Sequence, residues 1–501
     1  MDTNNVQSHQ KRSFFGPEKF PLFLFIGFAA LIGILLLPTP EGLSPAGHRM
    51  LAILVFAIIV WVSEAVSYEA SSIIIMGLII FLVGLSPSLK DPTVEWGVKS
   101  ALTMALAGFS SSGLALVAAA LFIAACMTYT GLDKRIALNT MNLVGTSTKS
   151  IFFGMILVTI ILSLVVPSAT ARAAAMIPIA MGMVAAFGVE NKSKLAVGLM
   201  ILVAECISIW NVGIQTAAAQ NLITVGFMTE LLGERVAWID WLIAALPWSI
   251  IMSFVLYFVV LTFFRPEVKK LEGGKQSVRK QLDEIGPMTS DQLRLLIVST
   301  ILIGFWATEG KLHNYSTAAT TIVALGILLI PKIGVINWKE MQKRTPWGTL
   351  IVFGTGISLG SSILKSGAGE WLGNQIVVWT GLDTLGPLMI FAILAAFLII
   401  IHLGFASATA LSSSMIPIVI SILKTMPDGS VDRLGMTMIL GFVISYGFIL
   451  PVNAPQNMVC LGTDTFNAKQ FAKVGITITI IGYLLMVLFA GTYWDWLGHL
   501  K

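Results

Sequence analysis

The chain has 501 residues, 56% of them hydrophobic and only 11% charged, with three cysteines and a net charge of +5 at pH 7. A mean hydropathy of +0.87 exceeds what the core of a soluble domain of this size needs, so composition points to a polytopic membrane protein. In such a protein excess Lys and Arg marks cytoplasmic loops rather than nucleic-acid contact. Cys126, Cys206 and Cys460 share no metal-ligand or redox spacing and read as small core residues, so neither a metal nor a cofactor is expected.

Residues 1–20 are polar, include Lys11 and Arg12, and lack the apolar stretch of a signal peptide, which predicts an uncleaved cytoplasmic N-terminus. An extra first span occupies 21–45 and is closed by a Pro-Thr-Pro turn. The first repeat unit then runs over 46–264. Its early spans extend to about 131: one from about 50 to 62, one from 71 to 85, and one from 101 to 130 that is interrupted by GFSSSG and ends in TGLDKRIA. Residues 151–166 form an apolar run of about sixteen before Pro167, short of the roughly twenty that cross a bilayer. After a Ser-Ala-Thr turn the chain is apolar again to about Phe187. With Lys149 before and Lys192 and Lys194 after, 150–187 reads as a re-entrant hairpin with both ends cytoplasmic. Residues 195–228 follow as a helix broken by the polar island NVGIQTAAAQN, because unpaired backbone at that depth is tolerated only where it lines a cavity. A span at 241–264 completes the unit.

Residues 265–293 form a hydrophilic cytoplasmic linker. Beyond it, in 294–495, the pattern recurs. Spans extend to about 366, the last of them Gly-rich and followed by KSGAGEWLG, which echoes TGLDKRIAL. A second hairpin lies at 385–423 and a second broken helix at 434–460, interrupted at PVNAPQN. The recurrence is literal at the hairpin tips. SATARAAAMIPI (168–179) and SATALSSSMIPI (407–418) agree at eight of twelve positions with an offset of 239, and AAAQN recurs as NAPQN at an offset of 236. With the N-terminus inside, twenty-one of the thirty-one Lys and Arg fall in cytoplasmic segments, eight outside, and Arg172 and Lys365 in the membrane region. That topology inverts the second half relative to the first and leaves the C-terminus outside. The expected fold is therefore an all-α polytopic membrane protein of about eleven transmembrane helices, with two re-entrant hairpins in two inverted repeats, the architecture of secondary transporters.

Each hairpin's second arm begins at Ser-Ala-Thr, so two helix N-termini with free N–H groups, positive dipole ends and hydroxyls are expected to meet at mid-depth as an anion site. Two facing ends suit a dicarboxylate. The candidates are Ser168, Ala169 and Thr170 with Ser407, Ala408 and Thr409. Arg172 and His402 lie beside the tips as candidate cations. Arg172 could equally be an anchor neutralised by Glu205, and His402 could bond a carbonyl. Asn211, Gln215, Asn221, Asn453 and Asn457 either line the cavity or satisfy the broken-helix backbone.

Together, the duplicated tips, TGLDKRIA with SGAGEWLG, and LPVNAPQN make the chain resemble the divalent anion:sodium symporter family, DASS, over nearly its whole length. That resemblance implies a homodimer in which a scaffold holds the interface, while the hairpins and broken helices (150–228 and 385–460) form a transport part that moves as an elevator. It implies small di- and tricarboxylates as substrates, and adds Gly213, Pro451, Val452 and Asn453 to the candidate site. The middle Asn of the symporters' two tips, a sodium-ligand position, is Ala169 and Ala408 here. Alanine offers no side-chain ligand, and Arg172 and His402 could supply the positive charge instead. A fixed cation cannot leave with the substrate, so the empty site should cross reluctantly, the logic of obligatory exchange. The SATAR form is similar to the branch holding bacterial citrate:succinate and tartrate:succinate exchangers and plastid 2-oxoglutarate:malate translocators.

The competing readings are a sodium- or proton-coupled symporter, with Glu205 and carbonyls holding the cation, and an ion channel lined by the Gly-rich stretches. An enzyme is not expected, since HExxH and paired catalytic Asp on neighbouring spans are missing. The short N-terminus points to a bacterial cytoplasmic membrane.

Overall fold

A computed structural model describes residues 20–501 apart from 90, 92, 146 and 269–273, so the expected cytoplasmic segment falls outside the described residues except for Phe20. Every regular element among the described residues is helical. Ten helices are long and apolar enough to cross a membrane, and five shorter apolar ones accompany them.

The first helix, α1 (Phe20–Leu36), stands outside the repeat. The first unit comprises α2 (Pro45–Ser63), α3 (Tyr68–Leu78), α4 (Val98–Leu106), α5 (Ser112–Thr130), α6 (Leu132–Asn142), α7 (Thr148–Val165), α8 (Ala169–Ala186), α9 (Lys194–Gly213), α10 (Ala219–Phe227) and α11 (Trp238–Phe263). Helix α12 (Gly274–Glu284) lies in the linker. The same ten helices then return in order as α13 (Ser290–Thr308), α14 (Thr317–Leu329), α15 (Trp338–Arg344), α16 (Trp347–Lys365), α17 (Ala368–Thr380), α18 (Pro387–His402), α19 (Ala408–Thr425), α20 (Arg433–Val443), α21 (Pro455–Leu461) and α22 (Ala468–Phe489).

Local chemistry sets most of these boundaries. Ser44, Ser67, Ser111, Ser147, Ser193, Thr289 and Ser316 each cap a first turn by accepting a backbone N–H. The expected span at 101–130 divides for this reason. Its GFSSSG stretch forms a 3-10 turn (Ala107–Ser110), and Ser111 caps a fresh helix, so α5 alone has spanning length. Gly131 and Gly367 adopt φ of +67° and +79°, a region costly for residues with a Cβ. These turns are where TGLDKRIA and KSGAGEWLG redirect the chain into α6 and α17.

The hairpin arms correct one expectation. Helix α7 starts at Thr148 and, like α8 and α19, has 18 residues. All three pass the length test for crossing, so length does not distinguish a re-entrant arm here; what interrupts each pair is the capped tip. The first break also comes later than expected, because α9 continues through Asn211 to Gly213.

Packing follows the repeat. Helix α3 lies on α16 as α5 lies on α14, α8 lies on α21 as α19 lies on α10, and α11 meets its counterpart α22. Buried indoles seal that last contact without leaving an N–H unpaired: Trp248 donates to Gly482 O (3.2 Å) and Trp494 to Ala244 O (2.8 Å). At the linker, Arg135 of α6 donates to Gln292 Oε1 (2.7 Å) and to the carbonyls of Gly286 (2.8 Å) and Pro287 (3.0 Å). The turn between α12 and α13 is thereby fastened to α6.

Candidate functional site

The two tips share one geometry. Ser168 and Ser407 both have extended backbone, at φ −148° and −139°, and each hydroxyl accepts the N–H three residues on, Ala171 and Ala410, at 3.3 Å. Both serines are therefore N-caps, with a hydroxyl hydrogen still available. The N–H groups of Ala169 and Thr170, and of Ala408 and Thr409, open their helices and have no intrahelical acceptor. Thr170 is exposed and Ser168 and Ala169 are half-buried; Ala408 is buried and Ser407 and Thr409 half-buried.

Behind each tip the hairpin is fastened to the broken helix of its own half, by different residues. In the first half the fastener is Arg172, wholly buried, which donates to Ser163 Oγ on α7, to Asn211 Oδ1 on α9 and to Ala217 O (2.9 Å) in the break. In the second half it is Asn453, which donates to His402 O and Phe405 O (2.9 Å each), while His402 Nε2 donates to Asn453 O at 3.4 Å. Ser163 and His402 are equivalent positions at the offset of 239, as are Ala217 and Asn453 at 236. The fastening is thus repeated while its chemistry is not.

The breaks are held by side-chain amides. Asn221 donates to Asn211 O and to Ile214 O (3.1 Å), and Asn457 donates to Gly447 O (2.8 Å). Two further bonds cross between halves: Gln220 Nε2 donates to Ser445 Oγ (3.1 Å) and Gln456 Nε2 to Ser208 Oγ (2.9 Å). Both glutamines belong to the repeated Ala-x-Gln-Asn, so the duplicated pair was visible in the sequence. The serines that receive them carried no signal.

Other candidates fall elsewhere. Gln215 Nε2 donates to Val236 O (3.4 Å), toward the start of α11. Gly213 ends α9 where a Cβ would come within 2.8 Å of Ser249 Oγ, so its small size serves α9–α11 packing. Pro451 is buried and Val452 half-buried in a 3-10 turn leading into α21. The alternative Arg172–Glu205 pair does not form. Arg172 bonds only neutral oxygens, and both Glu205 carboxyl oxygens are buried without a partner.

Residues 20–500 match the family described as the sodium:sulfate symporter transmembrane region. The chain belongs to that family. Among relatives of this sodium:sulfate symporter family member, a protein of Cupriavidus necator described only as a membrane protein is 61% identical over 95% of this chain and 92% of its own length. The sodium-dependent dicarboxylate transporter SdcS of Staphylococcus saprophyticus is 27% identical over 93% of this chain and 89% of its own. The citrate/succinate antiporter of Escherichia coli is 24% identical over 91% and 94%. In fold, the chain is similar to the YdaH transporter of Alcanivorax borkumensis, with a TM-score of 0.57 and 13% identity over 84% of this chain and 97% of that one. The family is one of transporters, so the protein is a multi-pass membrane transporter and not an enzyme.

Proposed function

We propose that the protein exchanges small dicarboxylates, of the 2-oxoglutarate, malate, succinate and fumarate class, by sodium-independent obligatory antiport. The observation that carries this reading is the pair of tips: two N-capped helix starts in equivalent positions, each presenting free N–H groups and hydroxyls, with alanine in the middle of both. N–H groups at a helix start favour an anion, and neither alanine side chain can ligate sodium. Arg172 supports a fixed-charge role, since its partners are neutral oxygens and its charge stays uncompensated behind the first tip. His402 would do the same behind the second when protonated. The antiporter and the dicarboxylate transporter among the relatives agree with the substrate class.

In this reading α7–α10 and α18–α21 form the part that moves, carried past a scaffold of α2–α5 and α13–α16 by an elevator motion. The functional unit is a homodimer in a bacterial cytoplasmic membrane, with the N-terminus inside and the C-terminus outside. A sodium- or proton-coupled symporter is the second reading, favoured by the sodium-dependent relative. Uptake of labelled succinate and 2-oxoglutarate into proteoliposomes, with and without unlabelled dicarboxylate inside, in sodium-free and sodium-containing buffer, separates them. Uptake only into preloaded vesicles and indifferent to sodium is expected. Sodium-driven uptake into empty vesicles would overturn antiport.

A further inference from the structure

Glu205 is a carboxyl that no part of the anion site uses. It sits in α9, which is buried from Leu195 to Gly213, has no exposed surface, and neither oxygen has a hydrogen-bond partner. One turn further along α9, Ser208 receives the bond from Gln456 of α21, and a second turn brings Asn211 and its bond from Arg172. The carboxyl therefore lies one turn before the point where the first broken helix is bonded to the second.

The repeat shows that packing does not require an acid there. At the offset of 236, Glu205 corresponds to Gly441 and the facing Cys460 to Thr224. Gly441 lies so close to Thr224 that a Cβ would come within 2.6 Å of its methyl carbon. One half fills this contact with backbone and a methyl group, the other with a carboxyl group.

The surroundings leave the charge unsupported. Arg172 on α8 bonds neutral groups. Helices α7 and α11 and the 3-10 turn at Gln215–Ala217 give Glu205 no hydrogen bond or ion pair. An isolated carboxylate in such a place is penalised by several kcal/mol, which a bound proton removes. Ionisable residues retained inside a membrane are functional by default.

We propose that Glu205 is a proton-binding site of the transport cycle, protonated in the arrangement seen here and exchanging its proton with water in another. The step is a transfer from carboxyl to water, giving carboxylate and hydronium, and its reverse. It would make the exchange proposed above sensitive to pH, and it rests on the transport reading only for the link to substrate.

Infrared difference spectroscopy of the purified full-length protein tests this. The protonated-carboxyl C=O stretch at neutral pH is expected to be present in wild type, lost in Glu205→Gln and shifted in Glu205→Asp, which keeps the acid should the Gln variant misfold. The band is expected to change on adding succinate and to disappear at high pH while the protein stays folded. A missing band in wild type, or one that survives in Glu205→Gln, overturns the proposal. So does a band indifferent to both pH and bound succinate, which marks a merely structural acid. The pH arm needs no substrate, so if calorimetry shows no succinate binding, the dicarboxylate reading falls while a titrating band still establishes the proton site.

Discussion

Helices α8 and α19 begin with the same three residues behind the same serine N-cap and share Met-Ile-Pro-Ile, yet 44% of α8's residues are buried against 72% of α19's. Their neighbours account for the difference. Helix α19 is pressed against α16 and α17 of its own half, and α16 makes room with glycine: a Cβ on Gly356 would come within 2.4 Å of Ser413 Oγ, and one on Gly360 within 2.6 Å of Pro417. Helix α8 lies instead against α9, α21, α6 and α12. At the offset of 236, the positions in α5 equivalent to Gly356 and Gly360 are Ala120 and Ala124, where no hairpin arm demands the space. One local code thus serves two environments.

The sharpest way to break the comparison is at the fasteners. Arg172→Ala leaves Ser163, Asn211 Oδ1 and Ala217 O without their donor, and is expected to destabilise the protein by about 3 kcal/mol and to reduce uptake at least about 100-fold. Asn453→Ala removes neutral bonds only, for about 1–3 kcal/mol. Thermal unfolding of the purified variants, alongside proteoliposome uptake, ranks the two. Arg172→Lys should rescue little, because a compact ammonium cannot reach three acceptors with a planar fork. Equal losses at Arg172 and Asn453 would mean that the charge contributes nothing beyond the fastening.

The glycine seam is the next test. Gly356→Ala is expected to lower stability by about 1–3 kcal/mol and slow uptake roughly tenfold or more, by forcing α16 and α19 apart. Ala120→Gly should cost only about 1 kcal/mol, the ordinary helix price of glycine. A silent Gly356→Ala would show that α19 does not depend on this close approach.

The smallest effect distinguishes the turns that leave α5 and α16. Asp133 and Gly369 are equivalent at the offset of 236. Gly369 has no room, since a Cβ would lie 2.7 Å from Ser421 Oγ. Asp133 is buried, and burial pushes its carboxyl up to about 6 despite the N–H it accepts from Lys134. The ionised form is therefore disfavoured in the folded chain. Between about pH 4 and 6 the unfolded chain loses this proton while the folded chain keeps it, so stability falls across that window and levels off above it. Asp133→Asn should flatten that fall and raise stability above pH 6 by on the order of 2 kcal/mol, read by thermal unfolding against pH.

Much of this was legible in the residues. The hairpin tips, the two breaks and the paired glutamines are written twice, and repetition at a fixed offset needs no coordinates to detect. Serine before a helical run names its own role as a cap. The partners of Arg172 and Glu205 were not legible, because both residues are buried and either could have neutralised the other. Ser163, Ser208 and Ser445 gave no signal, since a serine in an apolar run most often bonds its own preceding turn.

What the sequence by itself determined is the periodic part: which segments are helical, where each is interrupted, and that one half repeats the other, all consequences of local hydrogen-bond demand and of apolar length. What the tertiary structure alone decided is which face each helix turns to which neighbour. That choice separated Arg172 from Glu205, made arginine the fastener of one half and asparagine that of the other, and packed α19 onto α16 and α17 but α8 onto α9 and α21. These outcomes depend on contacts between residues far apart in the chain, where close packing admits one arrangement and local preference admits many.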